Sequence, residues 1–238
     1  MNTTSPNSGR SGSLSKDLRK HYGPGALKWS VLGVLPQVGI ALIESAELSA
    51  AAMVANDIGS CLLRPLPWGG RAVLHGPAVQ FDADGNGHVI DSPEWSERFP
   101  KLGMTDAHAW DRLPDEIDDR GGARLVIVHL RDPDALANSD EMMGQIFRFV
   151  FRSQCCVALV AGKMSESTGK LLRDFADSVL HVEPIAGTRL GRIVQTKGRG
   201  ALGEWQYTAS TPFLDDGEPT IDDVREVRES EVEAARVH

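Results

Sequence analysis

The sequence predicts an α/β fold of the doubly wound kind: a mainly parallel sheet with helices on both faces and a C-terminal antiparallel β-hairpin extension. Three observations carry this prediction. Continuous apolar runs such as VGIALIE, RLVIVHL and CVALVA alternate with helical stretches, the pattern of strands buried on both faces. The last three strand-like segments follow one another with no helix between them, so they extend the sheet in antiparallel fashion. The chain has 238 residues, 41% hydrophobic and 24% charged, enough for one sizeable core.

The elements follow in order. Residues 1–28 form an N-terminal tail: Ser, Thr, Asn and Gly dominate the first 13, and Lys16, Arg19, Lys20, His21 and Lys28 follow as a basic lead-in. Such a composition does not bury enough apolar surface to fold. The α/β domain is placed at 29–213. Val38–Glu44 reads as a buried strand and Ser45–Ile58 as an Ala-rich helix. Arg71–Gly76 reads as a second strand, after the turn-rich RPLPWGG. Ala78–Phe81 and Gly87–Ile90 flank DADGNG as a hairpin. Pro93–Arg98 and Asp106–Asp118 read as helices, and Arg124–Leu130 as the clearest buried strand. Met142–Gln154 is helical, Cys156–Ala161 a strand and Ser167–Phe175 a helix. Ser178–Glu183, Arg189–Thr196 and Trp205–Ala209 are the closing strands. Residues 214–238 read as an acidic C-terminal tail with a short terminal helix.

Composition excludes several function classes. Three cysteines, two of them adjacent, give no disulfide framework and no CxxC spacing for zinc. The seven histidines form no HExxH pair, so neither metal nor other cofactor is expected. Cys155 and Cys156 read as small hydrophobes of a buried strand. A net charge of −8 argues against a whole-surface grip on nucleic acid. No apolar run approaches the roughly 20 residues that span a bilayer, so a cytoplasmic protein without a membrane partner is expected. DADGNG matches the first half of a calcium loop, but Pro93 stands where the bidentate acid belongs, and a hairpin turn explains the same residues. Ser165, Ser167 and Thr168 read as helix-capping residues. Trp68, Trp95 and Trp110 read as buried, and Phe147, Phe149 and Phe151 as core or interface.

Three short segments carry the chemical argument. Leu35-Pro36-Gln37-Val38-Gly39 leads into IALIE, and Ser45-Ala46-Glu47-Leu48-Ser49-Ala50-Ala51-Ala52 leads into the helix. RLVIVHL carries His129 near its end. Lys197-Gly198-Arg199-Gly200 follows the penultimate strand. In this order the chain resembles the RecA-like NTPase superfamily, in the branch that contains the clock ATPase KaiC, over about residues 31–210. The resemblance implies a degenerate phosphate loop at Ser45–Ala52. Ala51 stands in place of the phosphate lysine, Ala52 in place of the magnesium hydroxyl, and Ser45, Leu48 and Ala50 in place of glycines. A phosphate cradle needs convergent backbone N–H groups and a neutralising cation. Leu48 obstructs such a cradle, and Glu47 repels a triphosphate. His129 stands at the degenerate metal position, where the family carries an Asp. The acidic pair that follows the family's second strand is replaced by His75-Gly76-Pro77. Lys197 and Arg199 match the Lys-x-Arg-Gly signature whose cations reach a neighbouring subunit's nucleotide.

The resemblance therefore implies a non-catalytic RecA-fold protein acting as an assembly or regulatory subunit, in a homo- or hetero-oligomer with RecA-like subunits. It leaves two other expectations. One is a nucleotide-sensing or weak ATPase completed in trans by Lys197 and Arg199. The other is a nucleic-acid-binding accessory subunit, similar to those of Elongator or of lesion-bypass polymerases. It would contact tRNA or DNA phosphates through Arg189, Arg192, Lys197 and Arg199.

Overall fold

A computed structural model describes residues 29–64, 66–81, 87–89, 107–119, 121–134, 140–198, 202–210 and 220–227. The chain opens with β1 (Trp29–Val31) and β2 (Leu35–Pro36), a small antiparallel pair, and continues into β3 (Gly39–Ser45) and α1 (Leu48–Leu63). β4 (Ala78–Phe81), β5 (Gly87–Val89), α2 (Ala107–Asp119), β6 (Leu125–Leu130) and α3 (Asp140–Ser153) follow. β7 (Cys156–Ala161), α4 (Glu166–Phe175), β8 (Ser178–Pro184), β9 (Leu190–Lys197), β10 (Glu204–Ala209) and β11 (Ile221–Glu226) complete the described elements.

One sheet of nine strands runs β11-β10-β9-β8-β3-β7-β6-β4-β5. Its five central strands, β8-β3-β7-β6-β4, are parallel. β9, β10 and β11 extend one side and β5 the other, all antiparallel. The expectation of a mixed α/β fold with a parallel centre and an antiparallel extension is met.

Period-two alternation along each central strand feeds two cores. Ala41, Ile43, Cys156, Ala158 and Val160 face α1, where Ala50, Ala51, Val54, Ala55, Ile58 and Leu62 are buried. Ile40, Leu42, Val157, Leu159 and Ala161 face the opposite layer, built from Trp110, Leu113 and Ile117 of α2, Ile146, Phe149 and Val150 of α3, and Leu172 of α4. Cys155 and Cys156 are buried as expected. Burial pushes the Cys155 thiol up to about 12 and raises the Cys156 thiol well above its ordinary value, so both stay protonated and unreactive.

The antiparallel extension has one covered face. Ile193, Trp205, Tyr207 and Ala209 join the core on the α1 side, while Arg192, Glu183 and Gln206 on the other face meet solvent. Trp205 packs on Trp68 with ring centroids 5.2 Å apart and donates from Nε1 to the Gly69 carbonyl at 3.2 Å. Gly69 has φ +52°, and a Cβ there would stand 2.7 Å from the Trp205 Nε1, so only glycine lets the loop reach the ring. Trp68 and Trp110 are buried, as expected for both; Trp95 lies outside the described residues.

Three expectations need correction. Arg71–Gly76 is not a strand: it holds only isolated bridges, Trp68–Arg71 and Val31–Val73, and packs as an irregular segment beside β1. The second parallel strand is β4, which pairs with β6 and also forms the expected hairpin with β5. The α/β domain does not stop at 213, because residues 221–226, expected in the acidic tail, form the edge strand β11. Ile221 and Val224 pack on the core, and Arg71–Glu226 and Arg189–Asp222 ion pairs fix the acidic strand in register. Finally, the first helix begins at Leu48, not at Ser45, which ends β3. The proposed helices at 93–98 and in the terminal tail, and the DADGNG turn, lie outside the described residues.

Candidate functional site

Open parallel sheets bind ligands where helices leave neighbouring strands toward opposite faces. Here that point lies between β3 and β7: α1 covers one face and α4 the other, and β3 and β7 pair directly. The crevice there is bounded by the turn Ser45-Ala46-Glu47 after β3 and by residues 162–165 after β7. It is the candidate site, and the segment Ser45–Ala52 begins there.

Its geometry is that of a tight strand-to-helix turn. Only Ala46 and Glu47 separate β3 from α1. Ser45 is buried, and its Oγ accepts the Glu47 amide at 3.3 Å. Ala46 and Glu47 are both exposed. Glu47 is the N-cap residue of α1, and its side chain makes no capping hydrogen bond. Leu48 packs against the α1-side core and stands directly on Gly162: a Cβ on Gly162 would lie 3.1 Å from the Leu48 Cβ and 3.3 Å from its amide nitrogen. Ser49 is exposed, Ala50 and Ala51 are fully buried, and Ala52 is partly buried. Ala51, expected in the phosphate-lysine position, therefore packs in the core.

Around the crevice the polar groups are tied to one another. Glu44 has a side chain only 6% exposed, and its two oxygens share the single Arg173 Nε–H, at 2.9 and 3.1 Å. His181 Nδ1 lies 3.5 Å from the same carboxylate, and its Nε2 lies 3.6 Å from Glu183. A buried carboxylate needs such partners, because an unpaired charge there costs roughly several kcal/mol. Asp134, beyond β6, accepts from the hydroxyls of Ser165 at 2.6 Å and of Thr168. Those bonds, Ser165 first, hold its carboxyl below the usual carboxylate range. Ser165 in turn caps α4 by accepting the Thr168 amide, the capping role expected for it. His129, which the resemblance would put at a metal position, is the penultimate residue of β6 and is buried. Among the described residues, no group of three His, Cys, Asp or Glu side chains is arranged to hold a metal ion.

Because β4 is the second parallel strand, the acidic residues next in the chain after it are Asp82 and Asp84, and His75-Gly76-Pro77 precedes it. The expectation that His75-Gly76-Pro77 follows the second parallel strand therefore does not hold; residues 82–86 lie outside the described residues.

The cations of the extension are placed elsewhere. Lys197 ends β9 opposite Val179, whereas Ser45 lies opposite Val182. Lys197 is thus about 10 Å along the strands and two strand spacings, about 10 Å, across from the turn. Its Nζ donates to the carbonyls of Arg173 and Asp174, at 2.8 and 3.0 Å. That is a favourable cation at the C-terminus of α4. Arg189 pairs with Asp222 and donates to the Ala209 carbonyl, and Arg192 pairs with Glu204 at 2.7 Å and Glu183 at 3.7 Å. The three therefore do not make an open basic patch; Arg199 lies outside the described residues.

Sequence reasoning found the Ser165 cap. It missed the Glu44–Arg173 and Asp134–Ser165–Thr168 contacts, whose partners come together only when α4 docks. No helix among the described residues is long and apolar enough to cross a membrane. Comparison with protein-family models returns no match, and comparison with curated proteins returns none.

Proposed function

We propose that this chain is a non-catalytic protein of the RecA-like class that acts by assembly, as a structural or regulatory subunit of a homo- or hetero-oligomer with RecA-like subunits. The parallel order β8-β3-β7-β6-β4 with antiparallel strands beside β8 supports the architecture. One observation carries the function: Leu48 stands on Gly162 at the switch point, with only two residues between β3 and α1. A phosphate loop wraps its anion with several residues of extended backbone. A two-residue turn has no room for that, and Glu47 places a negative charge where phosphate would lie.

With no cradle, the fold's remaining use is its surface. Lys197 and Arg192 are engaged within their own chain, which favours assembly over nucleic-acid contact. The test is light scattering on the eluting protein, combined with capture from its native source. A defined oligomer, or a stoichiometric complex with a RecA-like subunit, is expected. A strict monomer that captures no partner contradicts the proposal.

A further inference from the structure

The nine-stranded sheet ends at β11, and among the described residues no strand pairs with its outer side. In an antiparallel ladder, successive residues turn their backbone groups alternately to one neighbour and to the other. The Val227 amide donates to the Glu204 carbonyl at 2.8 Å. Val227, Arg225 and Asp223 therefore turn their backbone groups to β10, and Val224 and Glu226 turn theirs to the open edge. Side chains alternate as well. Val224 packs on the core and Glu226 pairs with Arg71. Asp223 and Arg225 lie on the opposite face, both exposed, and Arg225 donates to the Gln206 side chain there at 2.8 Å. The ion pairs of β11 are Arg71–Glu226 and Arg189–Asp222, which leaves Asp223 and Arg225 without an ionic partner among the described residues.

Charges on an edge strand ordinarily deter pairing, but here their order selects a partner. Two antiparallel copies of β11 related by a twofold axis must set residues of like backbone orientation opposite each other. The axis then passes between one residue and its own copy. If that residue is Asp222, Asp223, Arg225 or Glu226, a charge faces its own like. Ile221, at the strand's end, leaves little overlap. Val224 satisfies both backbone and charge. Its outward N–H and C=O bond those of its copy, and Asp223 of each chain stands opposite Arg225 of the other. Those flanking positions are non-hydrogen-bonded pairs, with Cα atoms about 4.5 Å apart and side chains in closest reach. The same register sets Asp222 opposite Glu226, but each of these carboxylates already has an arginine of its own chain.

We infer that β11 is a self-recognising edge: two copies of this chain join there, antiparallel about Val224, into one continuous sheet with two Asp223–Arg225 pairs across the axis. Such pairing rests on the assembly role proposed above and gives it a surface and a partner, a second copy of the chain.

Sedimentation velocity of the full chain tests it. The wild type is expected to sediment as a dimer or a multiple of one. Asp223→Arg and Arg225→Asp each put like charges face to face, so each variant alone should pair roughly tenfold more weakly or worse, with circular dichroism unchanged. Mixed in equal amounts, the two single variants should pair again, because one chain then brings two cations and the other two carboxylates. The D223R/R225D double variant should pair with itself. A wild-type assembly that persists in both single variants overturns this edge and leaves the assembly role standing. Loss in both single variants with no recovery in the mixture overturns it too, because the mixture restores the opposite charges. A wild type that does not self-associate also overturns it, and the assembly role falls with it only if no RecA-like subunit is captured.

Discussion

A lysine introduced at position 51 is expected to destabilise the fold by about 4 kcal/mol at neutral pH and to confer no affinity for ATP. Ala51 has no exposed surface and faces the core between α1 and the sheet. An ammonium there must either lose its proton or drag water inward. Buried lysines titrate near pH 5–6 in place of about 10.4, and the gap to pH 7 sets the approximate cost. Overpacking adds to it. Ser49→Lys, two residues earlier on the exposed side of the same turn, serves as the control and should be close to neutral. Urea denaturation of the two variants separates burial from simple dislike of lysine in the helix. Ala51→Lys as stable as Ser49→Lys would mean that position 51 faces a solvated cradle.

Asp57→Asn is expected to stabilise the protein at pH 7.5 by about 1–3 kcal/mol, with the gain vanishing below about pH 4. Asp57 lies in α1, where it accepts the Trp68 Nε1 hydrogen at 2.9 Å. Burial raises its carboxyl to about 6 from 3.8, more than the Trp68 hydrogen bond lowers it. Between those values the folded state holds the proton and the unfolded state releases it. Stability therefore falls as pH rises through this window and stays lower above it. Asparagine keeps the acceptor for Trp68 and removes the charge. Asp57→Ala removes both and leaves the buried indole N–H unpaired, so it should gain less or lose. Denaturation midpoints at about pH 4 and about pH 7.5 decide the matter. A wild type whose midpoint does not respond to pH where the asparagine variant's is also flat rules out the burial cost.

The central strands were legible because burial on both faces leaves no polar alternation. LVIVHL and CVALVA are apolar at nearly every position, and each faces helices above and below the sheet. The same reasoning failed at Arg71–Gly76, where Ala72, Val73 and Leu74 look like strand residues. Their backbone groups bond Leu32 and Ser30 at the small N-terminal pair in place of the main sheet. β4, which does hold the second position, has only four residues and was recognisable as a hairpin arm but not as a parallel strand. β11 was hidden for a different reason. Its three acids and single arginine resemble a solvated tail, and only the distant Arg71 and Arg189 make it a strand.

The site divides in the same way. Glu47 and Leu48 stand just past the end of β3, as their place shortly after the apolar run IALIE suggests. The ion pair of buried Glu44 with exposed Arg173 joins residues 129 apart in sequence, a contact that no local pattern encodes. The role of Lys197 as a cation on the end of α4 was hidden likewise, since its motif says what it is but not which helix end lies beside it.

The most direct test is calorimetric titration of the full chain with magnesium and ATP. With Leu48 on Gly162 and Ala51 in the core, the heat should equal that of dilution at every nucleotide concentration below the millimolar range. Magnesium-dependent binding with a micromolar Kd, weakened by substitutions at residues 45–49, would contradict a crevice closed to triphosphate.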